Sequence, residues 1–378
     1  MHVGLNLVFL VPGETGGMEV AARELIAALV ASAPPDVRLT AFVNREAAAA
    51  GGPWGSEIEA VTVPVHARNR LEWVRGEQQH LPRLAFAAGC DIVHSLASTA
   101  PLRGRFMRVT TIHDLNYAKV PDTHFGVRGL GMRVLVPAAA RRSHRIVVDA
   151  ASTVEDLVAE LGMPRAKIDV VPLGVRVPVT RVAPSELARV RSQLDLGDRR
   201  VVLSASAKRP HKNLLRLLAA HARLPAVDRP VLVLPGYPTP HEDELKARVV
   251  TLGSAGDVRF PAWVSDEDMD ALYATAEAFV FPSLYEGFGL PVLEAMARGV
   301  PVTCSDRSSL PEVAGDAALL FDPEDVEAIH RGLVALLDDA ALRERLVAAG
   351  TARASSFTWA RTAALTVAVY RRALGQAS

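Results

Sequence analysis

Cysteine is nearly absent: Cys90 and Cys304 are the only two in the chain. Neither a disulfide framework nor a cysteine metal cluster is therefore expected. Net charge is absent too, with 42 Lys and Arg against 42 Asp and Glu, which speaks against a global nucleic-acid binder. No apolar run approaches the ~18 residues a membrane-crossing helix needs. The N-terminus lacks a basic region ahead of its apolar run and lacks a clear cleavage site. No export signal is expected, which places the protein in the cytoplasm. No G-x-G-x-x-G follows the first apolar run, so hydride transfer on a dinucleotide is disfavoured. No internal repeat, coiled coil or low-complexity tail breaks the pattern.

What remains is the composition of a globular protein, 49% hydrophobic and 22% charged over 378 residues. That length exceeds the ~250–300 residues at which one core stops growing, so two domains are expected. Short apolar runs alternate with helical spacing, as in a parallel α/β sheet. Val3 to Val11, Leu39 to Val43, Ile58 to Val65, Asp91 to His94, Val109 to Leu115, Ile146 to Val148 and Ile168 to Val171 read as strands. A Pro- and Val-rich linker closes the first domain near residue 178. Val201 to Ser204, Val231 to Leu234, Asp257 to Phe260 and Ala278 to Phe281 are strands of a second domain, 179–356. A last helix occupies 357–378.

The chain is organised around one stretch, Phe279 to Pro301: a strand, a loop with Gly287, Phe288 and Gly289, then a helix entered at Leu290-Pro291. Glycine lets bare backbone N–H groups approach a ligand, and the helix start adds partial positive charge. Together they suit an anion, most naturally phosphate. Glu286 and Glu294 bracket this loop. Carboxylates do not help bind phosphate, but they hold hydroxyls through charge-assisted hydrogen bonds. Phosphate flanked by polyols describes a nucleotide sugar. A plainer alternative is that Glu294 complements the helix dipole and Glu286 is solvated.

Other turns fit a phosphate ligand. Lys208, Arg209 and Lys212 crowd a strand-to-helix turn, an arrangement that suits a diphosphate or a basic surface turn. Gly16 and Gly17 end a loop after the first strand. His113 and Asp114 stand at the carboxyl end of a strand, where ligands of open α/β sheets sit. Ser152 with Glu155 reads as a capping box, and Ser265 as the cap of the next domain's helix from Asp266. His66 to Leu84, with four arginines and Trp73, is an exposed helix, an acceptor edge or a membrane-surface contact.

Glu286 to Glu294 in E-G-F-G-L-P-V-L-E, with Arg298 to Pro323 continuing the pattern, resembles the E-x7-E segment of family 4 retaining glycosyltransferases. The resemblance covers nearly the whole chain and is densest from Val201 to Pro323. It implies a GT-B architecture: two Rossmann-like domains facing across a cleft, the C-terminal helix crossing back to the first. The first domain would take the acceptor and the second the donor. It further implies that Gly16 and Gly17 approach the donor diphosphate and the acceptor, and that His113 of T-I-H-D lies near the donor sugar. Asp114 would orient His113 or touch acceptor. Arg209 and Lys212 hold the donor phosphates, with Lys208 a candidate for one of those roles. Ala262 to Ser265, Val264 included, frames the base. Glu294 holds the ribose and Glu286 the sugar hydroxyls.

The implied reaction is retaining hexosyl transfer from a nucleotide sugar, GDP- or UDP-linked and leaning to GDP-mannose. The acceptor is a saccharide, lipid-linked or natural-product hydroxyl. No cofactor and no metal is expected, and no nucleic-acid partner. Peripheral contact at the inner membrane face stays open, and the sequence sets no oligomeric state. Alternatives are a nucleotide-sugar epimerase of the same fold, or a non-catalytic two-domain binding protein.

Overall fold

The computed structural model describes the whole chain except residues 33, 121–126, 177–181, 263 and 377–378, and leaves out the side chains of 127–130. The chain divides into two compact units. The first comprises Met1–Gly174 and Thr358–Ser378, the second Val175–Phe357. The expected boundary at residue 178 lies outside the described residues.

The first unit is built on seven strands: β1 His2–Leu7, β2 Arg38–Val43, β3 Glu59–Thr62, β4 Ile92–Ser95, β5 Met107–Thr111, β6 Arg145–Val148 and β7 Ile168–Val170. Their order is β3-β2-β1-β4-β5-β6-β7, every pairing parallel. All six residues of β1 are buried, which is why that run carries no polar alternation. The strand stops at Leu7, short of the expected Val11. The Asn44 amide takes the carbonyls of Val8 (3.0 Å) and Leu10 (2.7 Å) instead, turning the chain out of the sheet.

The second unit has six strands: β8 Val201–Leu203, β9 Val231–Val233, β10 Val258–Arg259, β11 Ala278–Phe281, β12 Val302–Ser305 and β13 Ala318–Phe321. Their order, β10-β9-β8-β11-β12-β13, repeats the first unit's plan, again all parallel. β12 and β13 are additions to the strands expected from sequence: β12 is a short run broken by Thr303, Cys304 and Ser305, and β13 is a four-residue run, Ala-Leu-Leu-Phe. In both units the chain reverses direction of travel across the sheet once, between β1 and β4 and between β8 and β11. Ligands of open α/β sheets bind outside the carboxyl ends of strands at such a switch.

The helix Trp359–Ala373 belongs to the first unit. Its Val367, Val369 and Tyr370 share the core around β1 and β4. One local expectation fails. The capping box does not form, because the helix Ala151–Leu161 already contains Ser152, whose hydroxyl is buried without a partner, while Glu155 pairs with Arg165. The helix expected over 66–84 runs without a break from Arg70 to Ala87, winding as a π turn over Gly76–His80. Trp73 turns inward against the cluster around Phe42 and Val65, leaving Leu71 and Phe86 as the apolar side chains exposed there, at 84% and 60%. Among the described residues no helix is long and apolar enough to cross a membrane.

Candidate active site

In the second unit the loops after β8 and β11 are stitched together, and the stitching brings distant charges into contact. After β8 the chain runs to a turn at Pro210–Lys212. Asn213 closes it in the left-handed region and ties its amide to the carbonyls of Pro282 (3.0 Å) and Pro323 (2.7 Å). The His211 carbonyl accepts the Leu284 N–H at 2.8 Å. As a result Lys212 Nζ reaches Glu286 Oε1 at 2.5 Å, across 74 positions of sequence. Both side chains are mostly covered, at 15% and 13% exposed.

The glycine turn follows. Gly289 has φ 116°, a region L side chains rarely adopt, and a Cβ there would stand 2.6 Å from Leu310 Cδ2. Only glycine fits. Ser309 Oγ donates to the carbonyls of Phe288 (2.6 Å) and Glu286 (3.0 Å), and Ser308 Oγ to that of Glu286 (2.5 Å). The turn is thus held from behind by two hydroxyls. It delivers the chain into helix Leu290–Ala297 with Pro291 in its first turn, as the Pro predicts. Pro291 has no N–H and that of Val292 pairs with the Gly289 carbonyl at 3.0 Å, so the positive face of the site comes from the end of the helix dipole.

Glu294 lies one turn into the helix and accepts from the Tyr273 hydroxyl at 3.0 Å. Burial pushes its carboxyl up, against the pull of the Arg298 charge and the Tyr273 hydrogen bond. Arg298 is itself fixed on Asp270 and on the Glu294 carbonyl. Ser265 caps helix Asp266–Thr275 as expected, accepting from the Asp268 N–H at 3.1 Å. The run Asp266, Asp268, Asp270 has metal-ligand spacing, but its carboxylates pair with Arg176, Arg189 and Arg298 respectively.

The expected donor residues therefore separate. Glu286, Lys212 and the Gly287–Leu290 turn come together, with Glu294 on the adjoining helix. Arg209 is exposed, and its guanidinium makes no ion pair among the described residues. Lys208 does not join them. It is fully buried, its ammonium held by the carbonyls of Gly236 (2.7 Å) and Pro261 (3.2 Å) and by Glu242 (3.2 Å). Val264 is half-buried beside Trp263, which lies outside the described residues.

The first unit holds a second cluster at the carboxyl ends of β4, β5 and β6. His113 Nδ1 lies 2.7 Å from Asp149 Oδ2, and Nε2 lies 3.0 Å from the Leu96 carbonyl. Burial works against a charged ring, but the Asp149 charge and hydrogen bond outweigh it, and His113 is pushed up to about 9. Asp114 does not orient His113 as one reading of the sequence had it. It folds onto its own loop, accepting from the Asn116 N–H (2.9 Å) and side-chain amide (2.6 Å). Behind lies His94, between the hydroxyls of Thr111 and Tyr370, each at 2.8 Å. Burial and the neighbouring His113 push it down to about 3. A cavity lined by His94, Leu96, Thr111, His113, Asp149 and Thr366 adjoins this cluster. Gly16 has φ 65° and Gly17 opens helix Gly17–Ser32, and the space a Cβ would take at either is empty. Room for a ligand against the backbone is what such glycines provide.

Asp149, Tyr273 and Ser309 escaped the sequence reading. Asp149 carried one signal, a carboxylate directly after an apolar triplet at a strand's carboxyl end, the same kind of place as His113. Tyr273 and Ser309 look like ordinary helix and loop residues until the fold brings them to Glu294 and Phe288.

Comparison with known proteins agrees with this geometry. The family described as Glycosyltransferase Family 4 matches residues 15–177, and that described as Glycosyl transferases group 1 matches residues 188–353. The chain is 35% identical over 266 residues to the O-antigen chain mannosyltransferase B of Escherichia coli, covering 70% of each protein. It is also 35% identical over 256 residues to the MMP alpha-(1->4)-mannosyltransferase of Mycolicibacterium hassiacum, covering 66% of this chain and 59% of that one. Among solved structures it superposes on Anabaena Alr3699/HepE in complex with UDP and glucose with a TM-score of 0.79, at 19% identity, over 98% of this chain and 100% of the other. The chain belongs to the family 4 glycosyltransferases and has their GT-B architecture.

Proposed function

We propose that this glycosyltransferase moves a mannosyl group from GDP-mannose to a hydroxyl of a growing saccharide, free or lipid-linked, with retention at the anomeric carbon and without a metal ion. The observation that carries the reading is the Lys212–Glu286 pair set against the Gly287–Gly289 turn and the N-terminus of helix Leu290–Ala297. A cation and a helix dipole side by side would suit a diphosphate that gains charge, and the neighbouring carboxylate would suit sugar hydroxyls. Mannose is supported by the two mannosyltransferases at 35% identity.

In this reading Arg209, Lys212, the N–H groups of Gly289 and Leu290 and the helix start stabilise the departing diphosphate. Glu286 holds the sugar and Glu294, steadied by Tyr273, the ribose. The first unit takes the acceptor at the carboxyl ends of β1, β4 and β5. The anomeric carbon–phosphate oxygen bond breaks and the carbon–acceptor oxygen bond forms. The acceptor proton passes to the leaving diphosphate.

The test is thermal unfolding with GDP, UDP, ADP and TDP in EDTA, followed by transfer from GDP-mannose with the product anomer read by NMR. A ligand at ~100 times its Kd adds ~2.7 kcal/mol of stability. GDP is expected to give the largest shift, and transfer is expected to persist in EDTA with the α configuration kept. A shift with UDP alone removes the mannose assignment. No shift with any nucleotide, with or without manganese, removes the donor site.

A further inference from the structure

We propose that Asp149 is a positioning residue of the transfer reaction: with the Leu96 carbonyl it holds the His113 ring doubly protonated and in one orientation, so that His113 serves as a fixed cation and not as a base. The inference rests on the reading above that the first unit's cluster serves the acceptor.

The argument is one of donors and acceptors. A carbonyl oxygen only accepts, so His113 Nε2, 3.0 Å from Leu96 O, carries a hydrogen. An ionised carboxylate only accepts, so Nδ1, 2.7 Å from Asp149 Oδ2, carries one as well. A ring with hydrogens on both nitrogens is an imidazolium. The neighbouring His94 shows the contrast. Its partners are the hydroxyls of Thr111 and Tyr370, each able to donate or accept, and they suit a neutral ring. Among the described residues, the titratable groups around His113 are Asp149 after β6, Asp114 on its own loop and His94 on β4, with Tyr370 of the helix Trp359–Ala373 behind His94. The helix Gly17–Ser32 brings only apolar Ala21, Ala22 and Leu25 to the adjoining cavity. Two of these described neighbours are carboxylates, and the basic one among them, His94, is buried neutral. A histidine fixed in this way has no lone pair with which to take the acceptor proton. That proton is left to the departing diphosphate, and the electron count of the transfer closes without a protein base.

The experiment compares full-length wild type, Asp149→Asn, His113→Gln and the double variant. Histidine ring resonances are followed by NMR from pH 5.5 to 10, with His113 assigned by its loss in His113→Gln. Transfer from GDP-mannose is measured over the same range, and GDP affinity is measured as the control for folding. In wild type the His113 resonance should stay at its charged position through neutral pH, and transfer should be flat there and fall only on the alkaline side. Asp149→Asn should lower the His113 midpoint by about 1–2 units, move the alkaline limb of transfer down by the same amount and reduce the neutral rate about tenfold. GDP affinity should be unchanged, and the double variant should be no worse than His113→Gln alone. A wild-type midpoint at the ordinary histidine value, or the same midpoint in Asp149→Asn, overturns the pairing. A moved midpoint with an unmoved rate and pH profile overturns its role in the reaction. The resonances need no donor. Failure of the mannosyl reading appears separately, as a wild-type protein that transfers nothing from GDP-mannose.

Discussion

The two units carry ion pairs at equivalent places, the carboxyl ends of parallel strands, but they hold them differently. In the first, His113 is clamped between a carboxylate and a carbonyl, with both ring nitrogens occupied by the protein. In the second, Lys212 meets Glu286 through one contact, beside a turn whose backbone is arranged for a ligand. Lys212 has two further hydrogens and Glu286 a second oxygen with which to bind something else. In the first pair both ring nitrogens are taken, although Asp149 Oδ1 is buried without a hydrogen-bond partner among the described residues; in the second, donors and an acceptor are left over on both side chains. Pairs of similar length therefore differ in what they leave open: the first holds the His113 ring in place, and the second is the one that the proposed reaction would use.

Substitutions sharpen that contrast, and the largest effect is expected at the open pair. Glu286→Ala should lower transfer by roughly 100-fold or more, because a contact strengthened at the transition state is lost, while far-UV CD and Tm stay near wild type. Near-normal turnover would move the sugar-binding role elsewhere. Lys212→Ala should weaken GDP binding by about 10- to 100-fold, the loss of one charge-assisted hydrogen bond of ~1.5–3 kcal/mol. Calorimetry with unchanged affinity would show that its charge serves Glu286 alone.

The closed pair should appear in the pH dependence of stability. His113 is raised from 6.5 to about 9 in the folded protein, so its contribution is fully present below pH 6.5 and is lost as pH rises through about 9. Urea titrations should show wild type exceeding Asp149→Asn most at pH 6, the gap closing by pH 9.5. A gap that stays constant across that window would show that Asp149 stabilises by something other than this charge. The smallest effect belongs to Tyr273→Phe. It removes one hydrogen bond to Glu294 of ~1 kcal/mol and should raise the Kd for GDP by about fivefold, with the helix intact.

The same contrast explains what could be read from sequence. Glu286, the Gly287–Gly289 turn and Glu294 lie within nine consecutive positions, so strand, turn, proline and carboxylates declare themselves together. The alternation of buried strands and helices is equally local, and the parallel two-unit architecture was legible from it. The first unit's cluster draws instead on Leu96, His113, Asp149 and Tyr370. Spacing says nothing about which of these meet. Asp114 looked like the natural partner of His113 because it is adjacent, but adjacent residues at a strand end point to opposite sides, and Asp149 arrives from the next strand. Lys208 misled for a related reason. Three cations in five residues look alike in a string, and only the fold shows one of them buried under Glu242 and two carbonyls.

The helix Trp359–Ala373 has a consequence for biosynthesis. Tyr370 hydrogen-bonds His94 across 276 positions and fills the core beside β1. A ribosome that has made the whole of the first unit's sheet has still not supplied the last piece of its interior. The second unit, continuous from Val175 to Phe357, can close first while the earlier-made unit waits. A messenger truncated shortly before codon 359 would yield an intact second unit tethered to an unfinished one with apolar surface bare. Such a product would present to chaperones and proteases the apolar surface that the helix Trp359–Ala373 otherwise covers.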